Sequence, residues 1–127
     1  MIVGIGVDVC DAARFHALLS KQDGRAARFF SPEEQAYIGS RGQMAPDTMA
    51  GLFAAKEALV KALRTGFLHI RLHEIVVLHD EAGAPFYDLR GQYAAAAAQL
   101  SVTRLHLSIS HDGGMAVAFC IAERENP

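Results

Sequence analysis

Arg104-Leu-His-Leu-Ser-Ile-Ser110 alternates apolar and polar residues, and the turn residues Asp112-Gly113-Gly114 follow it almost at once. The alternation puts Leu105, Leu107 and Ile109 on one side of a strand and His106, Ser108 and Ser110 on the other. Asp-Gly-Gly is hairpin chemistry, because a tight hairpin needs residues that accept positive φ. The chain should therefore return as an antiparallel strand over residues 115–122. That strand also has two faces: Met115, Val117, Phe119 and Ile121 on one, and Ala116, Ala118, Cys120 and Ala122 on the other. A face of small residues allows close approach by a helix or a second subunit. It permits an assembly without requiring one.

Working back from this hairpin, residues 92–100 carry an alanine run and predict a helix, since alanine is the best helix former. Residues 74–79 and 86–89 read as short strands joined by a turn over residues 80–85, which contains Gly83. The first half differs. Residues 2–8 are short, branched and apolar, a strand ending at Asp8. Residues 11–30 show helical periodicity with an interruption at Asp23-Gly24. Ser31-Pro32-Glu33-Glu34 starts a helix running to about Ser40, with Ser31 and Glu34 as a capping box and Pro32 in the first turn. A third helix spans about residues 47–64, with Gly66 placed to end it. Helices concentrate early and antiparallel strands late. The expected fold class is α+β, with helices packed on a small, mainly antiparallel sheet, in one domain over residues 1–127.

Composition excludes several classes. A chain of 127 residues with 51% hydrophobic and 20% charged residues is an ordinary globular composition. A net charge of -2 lacks the basic excess of nucleic-acid binders. Cys10 and Cys120 form no Cys-x-x-Cys pair, so they are expected as reduced, buried thiols in a cytoplasmic protein. The start of the chain lacks a signal-peptide pattern, and no segment has the ~20 apolar residues of a membrane span.

Three motifs fail on inspection. Gly4-x-Gly6 suggests dinucleotide binding, but Val9 stands where the third glycine belongs. Ser110-His111-Asp112 has the composition of a triad, yet neighbours on a strand point to opposite faces. His73-Glu74 begins a zinc-protease pattern that Val77 breaks.

The chemistry concentrates in Phe53-Ala-Ala-Lys56-Glu57-Ala-Leu-Val-Lys61. On a helical wheel Leu52, Phe53, Leu59, Val60 and Leu63 form an apolar face, and Lys56 falls in its middle. A lysine there needs an anionic partner or a route to water. Glu57 and Lys61 stand side by side at i and i+4, the spacing of an ordinary solvated ion pair. Asp8, at the end of an apolar strand, suits either a helix cap or a ligand. Asp8, Glu57 and two lysines together suit a hard cation plus phosphates, since magnesium takes carboxylate, water and phosphate oxygens.

Gly4-Ile-Gly6-Val-Asp8, Phe30-Ser-Pro-Glu-Glu34, Phe53-Ala-Ala-Lys56-Glu57-Ala-Leu-Val-Lys61 and Ser108-Ile-Ser110-His111 occur in this order. The set resembles the 4'-phosphopantetheinyl transferases, and specifically the short, single-domain holo-acyl-carrier-protein synthase group. The resemblance covers nearly the whole chain, including the Gly83-x-Pro85 turn. It implies transfer of 4'-phosphopantetheine from coenzyme A to a serine of an apo-acyl carrier protein, releasing 3',5'-ADP, in fatty acid biosynthesis. It implies Mg2+ on Asp8 and Glu57. It implies coenzyme A contacts from Lys56, Lys61, Ser110 and His111, with Lys61 acting on the phosphate charge. It also implies a homotrimer with active sites between subunits. One departure is Leu52, which stands where a basic residue is expected.

Arg14, Leu18, Lys21, Arg25 and Arg28 would share one stripe if a single helix ran through Gly24. Phe15, Leu19, Ala26, Phe29 and Phe30 would then face the core. A basic stripe on a net-acidic chain suits an acidic partner, and the resemblance makes that partner the acyl carrier protein. Two other functional classes fit parts of the pattern: a small magnesium-dependent phosphate hydrolase and a non-catalytic carrier-binding module.

Overall fold

A computed structural model describes residues 1–20, 24–64 and 70–125. Among these residues, five strands and five α-helices run in the order β1 (Ile2–Asp11), α1 (Ala13–Ser20), α2 (Ala26–Phe29), α3 (Pro32–Gly39), α4 (Ala45–Ala62), β2 (Ile75–His79), β3 (Pro85–Leu89), α5 (Gly91–Gln99), β4 (Arg104–Asp112) and β5 (Met115–Glu123). One antiparallel sheet has the order β1-β5-β4, and β2 and β3 form a second antiparallel pair. The expected α+β class is the observed one. The β4–β5 hairpin closes on Gly113 and Gly114, whose φ values of 56° and 81° suit a two-residue loop with positive φ at both positions.

The long helix α4 lies across the three-stranded sheet. Its sheet-facing stripe is small: Gly51, Ala54, Ala55, Ala58 and Ala62 are all buried. The sheet answers with Gly4, Gly6, Ala116, Ala118, Cys120 and Ala122. Small residues on both sides let backbone approach backbone. A Cβ on Gly4 would sit 1.9 Å from the Ala62 carbonyl oxygen, and one on Gly6 would sit 1.8 Å from that of Ala58. The two glycines of the failed dinucleotide motif are thus the seat of the helix. Helix and strand run antiparallel here: two residues of strand (about 6.6 Å) match four of helix (about 6 Å). Asp8 is the next position on the same strand face.

Several expectations need correction. β1 continues past Asp8 to Asp11, because β5 pairs with it to the end: Asp8 opposes Ala118 and Asp11 opposes Met115. The helical stretch after β1 is not continuous. α1 covers Ala13–Ser20, residues 21–23 lie outside the described residues, Gly24 adopts φ 82°, and one further turn, α2, follows. Leu19 is consequently exposed, while Phe15 and Phe30 are core residues as expected. α4 begins at Ala45 behind a 3-10 turn at Gly42–Met44, and Arg64 beyond its end takes the left-handed φ of 57°. Gly66 lies outside the described residues. The capping box forms as read: Glu34 N–H donates to Ser31 Oγ at 3.2 Å, and Ser31 N–H donates to Glu34 Oε1 at 2.9 Å.

The small face of β5 is the one under α4. Its apolar face, with Ile5, Val7 and Val9 of β1 beside Val117 and Phe119, is exposed.

Candidate functional site

Lys61 sits at the end of α4 nearest β1. Its ammonium donates to the Val7 carbonyl at 2.8 Å and lies 3.4 Å from Asp8 Oδ1. Gly4 and Gly6 make this possible, because the close helix–strand seat brings the α4 side chains within reach of β1. Glu57 is one turn back on the same flank of α4 and half-buried. Burial, and then the negative charges of Glu57 and Glu74, push the Tyr93 hydroxyl up to about 12. Asp8 and Lys61 are in contact, and Glu57 stands one turn from Lys61 on α4. Lys61 does turn to Asp8, so the i,i+4 geometry alone does not describe its role. Both side chains remain accessible, with 20% of Asp8 and 52% of Lys61 exposed.

Among the described residues no three His, Cys, Asp or Glu side chains gather as a metal cage. A magnesium ion needs only one or two carboxylates, since it takes its other oxygens from water and substrate phosphate. The Lys61 contact at 3.4 Å shows that a positive charge is already accommodated beside Asp8.

Lys56 is not in this cluster. It is 0% exposed, and its ammonium donates to Glu34 Oε1 at 2.7 Å, to the Leu72 carbonyl at 3.0 Å and to the Ile75 carbonyl. Three donors meet three acceptors, and the charge lies over the Phe30 ring at 5.5 Å. Burial pulls the ammonium down to about 8, against the opposing pull of Glu34. The expected coenzyme A contact is corrected: a fully enclosed ammonium with no free N–H cannot reach a phosphate. The anionic partner demanded by the sequence is the capping-box glutamate, whose other oxygen accepts Val77 N–H at 3.0 Å.

His111 lies at the opposite edge. Its Nε2 is 3.0 Å from the Asp47 carbonyl oxygen, near the start of α4, and it packs on Gly51. A groove of about 200 Å³ opens there among Arg41, Thr48, His79, Gly83, Pro85 and His111. Leu52 lines it from beneath and is buried, so a basic side chain at that position would have opened into this groove. Tyr37 stacks on His79 with ring centroids 4.1 Å apart, and the Arg41 guanidinium sits 5.6 Å from the Tyr37 centroid. Sequence reasoning missed Tyr37, Arg41 and His79, because nothing near each of them in the chain marks it. Ser110 pairs with Val117, whose side chain is on the open face of the sheet, so within one chain it points away from the His111 groove.

The basic stripe is divided. Arg14, Leu18 and Arg25 line one groove of about 330 Å³ with Phe15, Phe29 and Phe53. The Arg14 guanidinium lies 5.6 Å from the Phe53 ring centroid. Arg28 is not on this wall, because the break at Gly24 turns α2. It lines a separate groove on the far side of Phe29. Lys21 lies outside the described residues.

Comparison with known proteins sets these features in a family. Residues 4–120 match the family model described as the 4'-phosphopantetheinyl transferase superfamily. A holo-[acyl-carrier-protein] synthase of Beutenbergia cavernae is 44% identical over 124 residues, spanning 98% of this chain and 100% of that protein. The crystal structure of holo-[acyl-carrier-protein] synthase from Neisseria meningitidis superposes with a TM-score of 0.85 at 30% identity, covering 98% of this chain and 100% of the other. A Chronobacterium ammoniagenes ACPS–CoA complex matches with a TM-score of 0.79 at 32% identity, over 97% and 98% of the two chains.

Proposed function

This chain belongs to the 4'-phosphopantetheinyl transferase superfamily, and we propose from that premise that it is a holo-acyl-carrier-protein synthase. It transfers 4'-phosphopantetheine from coenzyme A to a serine of an apo-acyl carrier protein, releases 3',5'-ADP and serves fatty acid biosynthesis. The similar Chronobacterium ammoniagenes chain, solved as a CoA complex, supports coenzyme A as the donor. The observation that carries the reading on this chain's own residues is Lys61, held against Asp8 and the Val7 carbonyl one turn from Glu57.

In the transfer, the serine Oγ forms a bond to the phosphorus nearest the pantetheine. The bond from that phosphorus to the oxygen of 3',5'-ADP breaks. Such transfers depend mostly on positioning and charge stabilisation. Lys61 is exposed enough to move from Asp8 to the departing phosphate, where its charge, or its proton, meets the developing negative charge. A Glu57 carboxylate oxygen is within this chain's means to accept the serine proton. Mg2+ held by Asp8 and Glu57 would neutralise pyrophosphate oxygens when bound.

Asp8 and Lys61 lie at the β1 edge, whereas His111 and Arg41 lie at the β4 edge. Asp8 and Ile109 both register with Ala118, so the two edges stand one strand apart on either side of β5. A site that uses both edges is one that a second copy can complete. The exposed Ile5, Val7, Val9, Val117 and Phe119 face, continuous across β1 and β5, suits burial between copies. We assign the complete site to adjoining subunits of a homotrimer, in which Ser110 on that same face would approach a neighbour. No described helix is long and apolar enough to cross a membrane.

The test is direct. Purified protein is incubated with apo-acyl carrier protein, coenzyme A and magnesium, and the carrier is weighed. A gain of one phosphopantetheine supports the transferase. Coenzyme A consumed without a gain would indicate a hydrolase, and carrier bound without consumption a binding module.

A further inference from the structure

Two lysines leave α4 five residues apart, and the fold holds them in opposite ways. Lys56 is enclosed, with three acceptors around its ammonium. Lys61 is 52% exposed and has two contacts of unequal quality. Its ammonium donates to the Val7 carbonyl at 2.8 Å, an ordinary hydrogen bond to a neutral group. It stands 3.4 Å from Asp8 Oδ1, well beyond the ~2.7–2.9 Å of a tight ammonium–carboxylate bond. Val7 and Asp8 are consecutive on the edge strand β1, so backbone fixes where the lysine rests while its hold on the carboxylate is loose. Asp8 is 20% exposed, and among the described residues Lys61 is the one cation in contact with it. An exposed ion pair of this geometry adds little to stability, so folding alone does not account for it.

A carboxylate with one loosely held counter-charge can exchange it. A divalent cation and the Lys61 ammonium call on the same oxygens and repel one another, so both cannot hold Asp8 at full strength. The lysine that leaves is not stranded. More than half of its side chain is already in water, and the phosphates of coenzyme A offer it another anion. We propose that Lys61 is a built-in competitor for the metal position on Asp8. It neutralises the carboxylate in the free protein, and a divalent cation and the coenzyme A pyrophosphate together draw it off. Each ligand thereby tightens the other through this one side chain, a coupling that must be reciprocal. The proposal rests on the transferase reading and on Asp8 as a metal ligand. It adds a control to them: the site is held by its own lysine until both ligands are present.

Metal affinity, rather than turnover, tests it. Mn2+ stands in for Mg2+, and electron paramagnetic resonance of the free ion gives its affinity with and without saturating coenzyme A. The proteins are the wild type, Lys61→Met, Asp8→Asn and Arg64→Asn, with circular dichroism and thermal melting as the check on folding. Without coenzyme A, Lys61→Met is expected to bind Mn2+ about five- to tenfold more tightly than the wild type. With coenzyme A that advantage should shrink to about twofold or less, so coenzyme A tightens Mn2+ less in the variant than in the wild type. Arg64→Asn removes a positive charge three residues further on, and asparagine suits the left-handed φ of 57° there. It should shift Mn2+ affinity by less than about twofold, since an exposed charge without contact is screened. If Arg64→Asn matches Lys61→Met, the effect is the general field of the helix end and the proposal is wrong. If Asp8→Asn weakens Mn2+ binding and Lys61→Met leaves it unchanged or weaker, the metal reading stands and the competition is refuted. If Asp8→Asn leaves Mn2+ binding unchanged, Asp8 holds no metal and both fail. If the wild type binds Mn2+ but no coenzyme A, the transferase reading fails, and the comparison without coenzyme A still decides the competition.

Discussion

Lys56 Nζ lies 2.7 Å from Glu34 Oε1 with both side chains at 0% exposure. One glutamate thereby completes the capping box of α3, accepts from the β2 backbone at Val77 and neutralises the lysine of α4. Three elements meet on one carboxylate. Removing one member of a buried pair leaves the other charge uncompensated, at a cost of about 3–5 kcal/mol. Lys56→Met should therefore lower the melting temperature sharply. Adding Glu34→Gln should restore part of the loss, and a double-mutant cycle from denaturant titrations would measure the coupling. Michaelis constants for coenzyme A should stay near wild type in whichever variants fold. A raised constant with unchanged stability would return Lys56 to the substrate.

Gly6→Ala should be among the most damaging single-methyl changes available. Its Cβ would lie 1.8 Å from the Ala58 carbonyl oxygen, a backbone atom that cannot step aside without moving α4. Overpacking typically costs about 1–3 kcal/mol, and a backbone collision should reach at least the upper end. Because α4 carries Glu57 and Lys61, activity should fall more than stability. Denaturant midpoints together with turnover of the folded fraction separate the two.

Asp8→Asn and Glu57→Gln should each nearly abolish transfer, and the double variant should be little worse than either, as for residues acting as a unit. Lys61→Ala should lower turnover more than it weakens coenzyme A binding, since its contact develops with the leaving charge. A rise in Michaelis constant at unchanged turnover would make Lys61 a binding residue only. Steady-state kinetics over a magnesium series would read all three.

His79 gives a pH dependence with a definite sign. Burial first, and then the adjacent Arg41 charge, hold the imidazole below its ordinary value of 6.5. The unfolded chain therefore takes up a proton at a pH where the folded chain does not. The stability associated with neutral His79 is present above about pH 6.5 and declines as pH falls through the lower folded value. His79→Gln should lessen that acid-side decline while changing little at pH 8. Melting temperatures between pH 5 and 8 would show it. Equal slopes for the two proteins would mean that His79 titrates alike in both states.

Much of the architecture was legible because period and turn chemistry act locally. The β4–β5 hairpin, the capped start of α3 and the alanine helix α5 each announce themselves within ten residues. The break at Gly24 was visible as Asp23-Gly24, but whether a helix survives a glycine depends on what the flanking turns pack against. That the small faces of α4 and β5 meet could be suspected, whereas the glycines of β1 belong to the same seat only through long-range pairing. The site divides the same way. Asp8, Glu57 and Lys61 sit in recognisable motifs. Lys56 shared a motif with two of them yet belongs to the core, since its partner is 22 residues away. Tyr37 and Arg41 come from the end of α3 and the turn after it, and His79 from β2, so only the fold assembles them around His111.

The central claim is that residues of two chains complete one transferase site, and mixing inactive variants tests it most directly. Asp8→Asn disables the β1 edge and His111→Ala the β4 edge. The two proteins are unfolded together in denaturant, refolded as a mixture and supplied with apo-acyl carrier protein, coenzyme A and magnesium, and the carrier is weighed. The account predicts that each variant alone transfers little, that the mixture regains a substantial part of wild-type activity, and that Phe119→Glu in both chains removes the rescue. A mixture no more active than its parts, from variants that are each folded and associated, would contradict it.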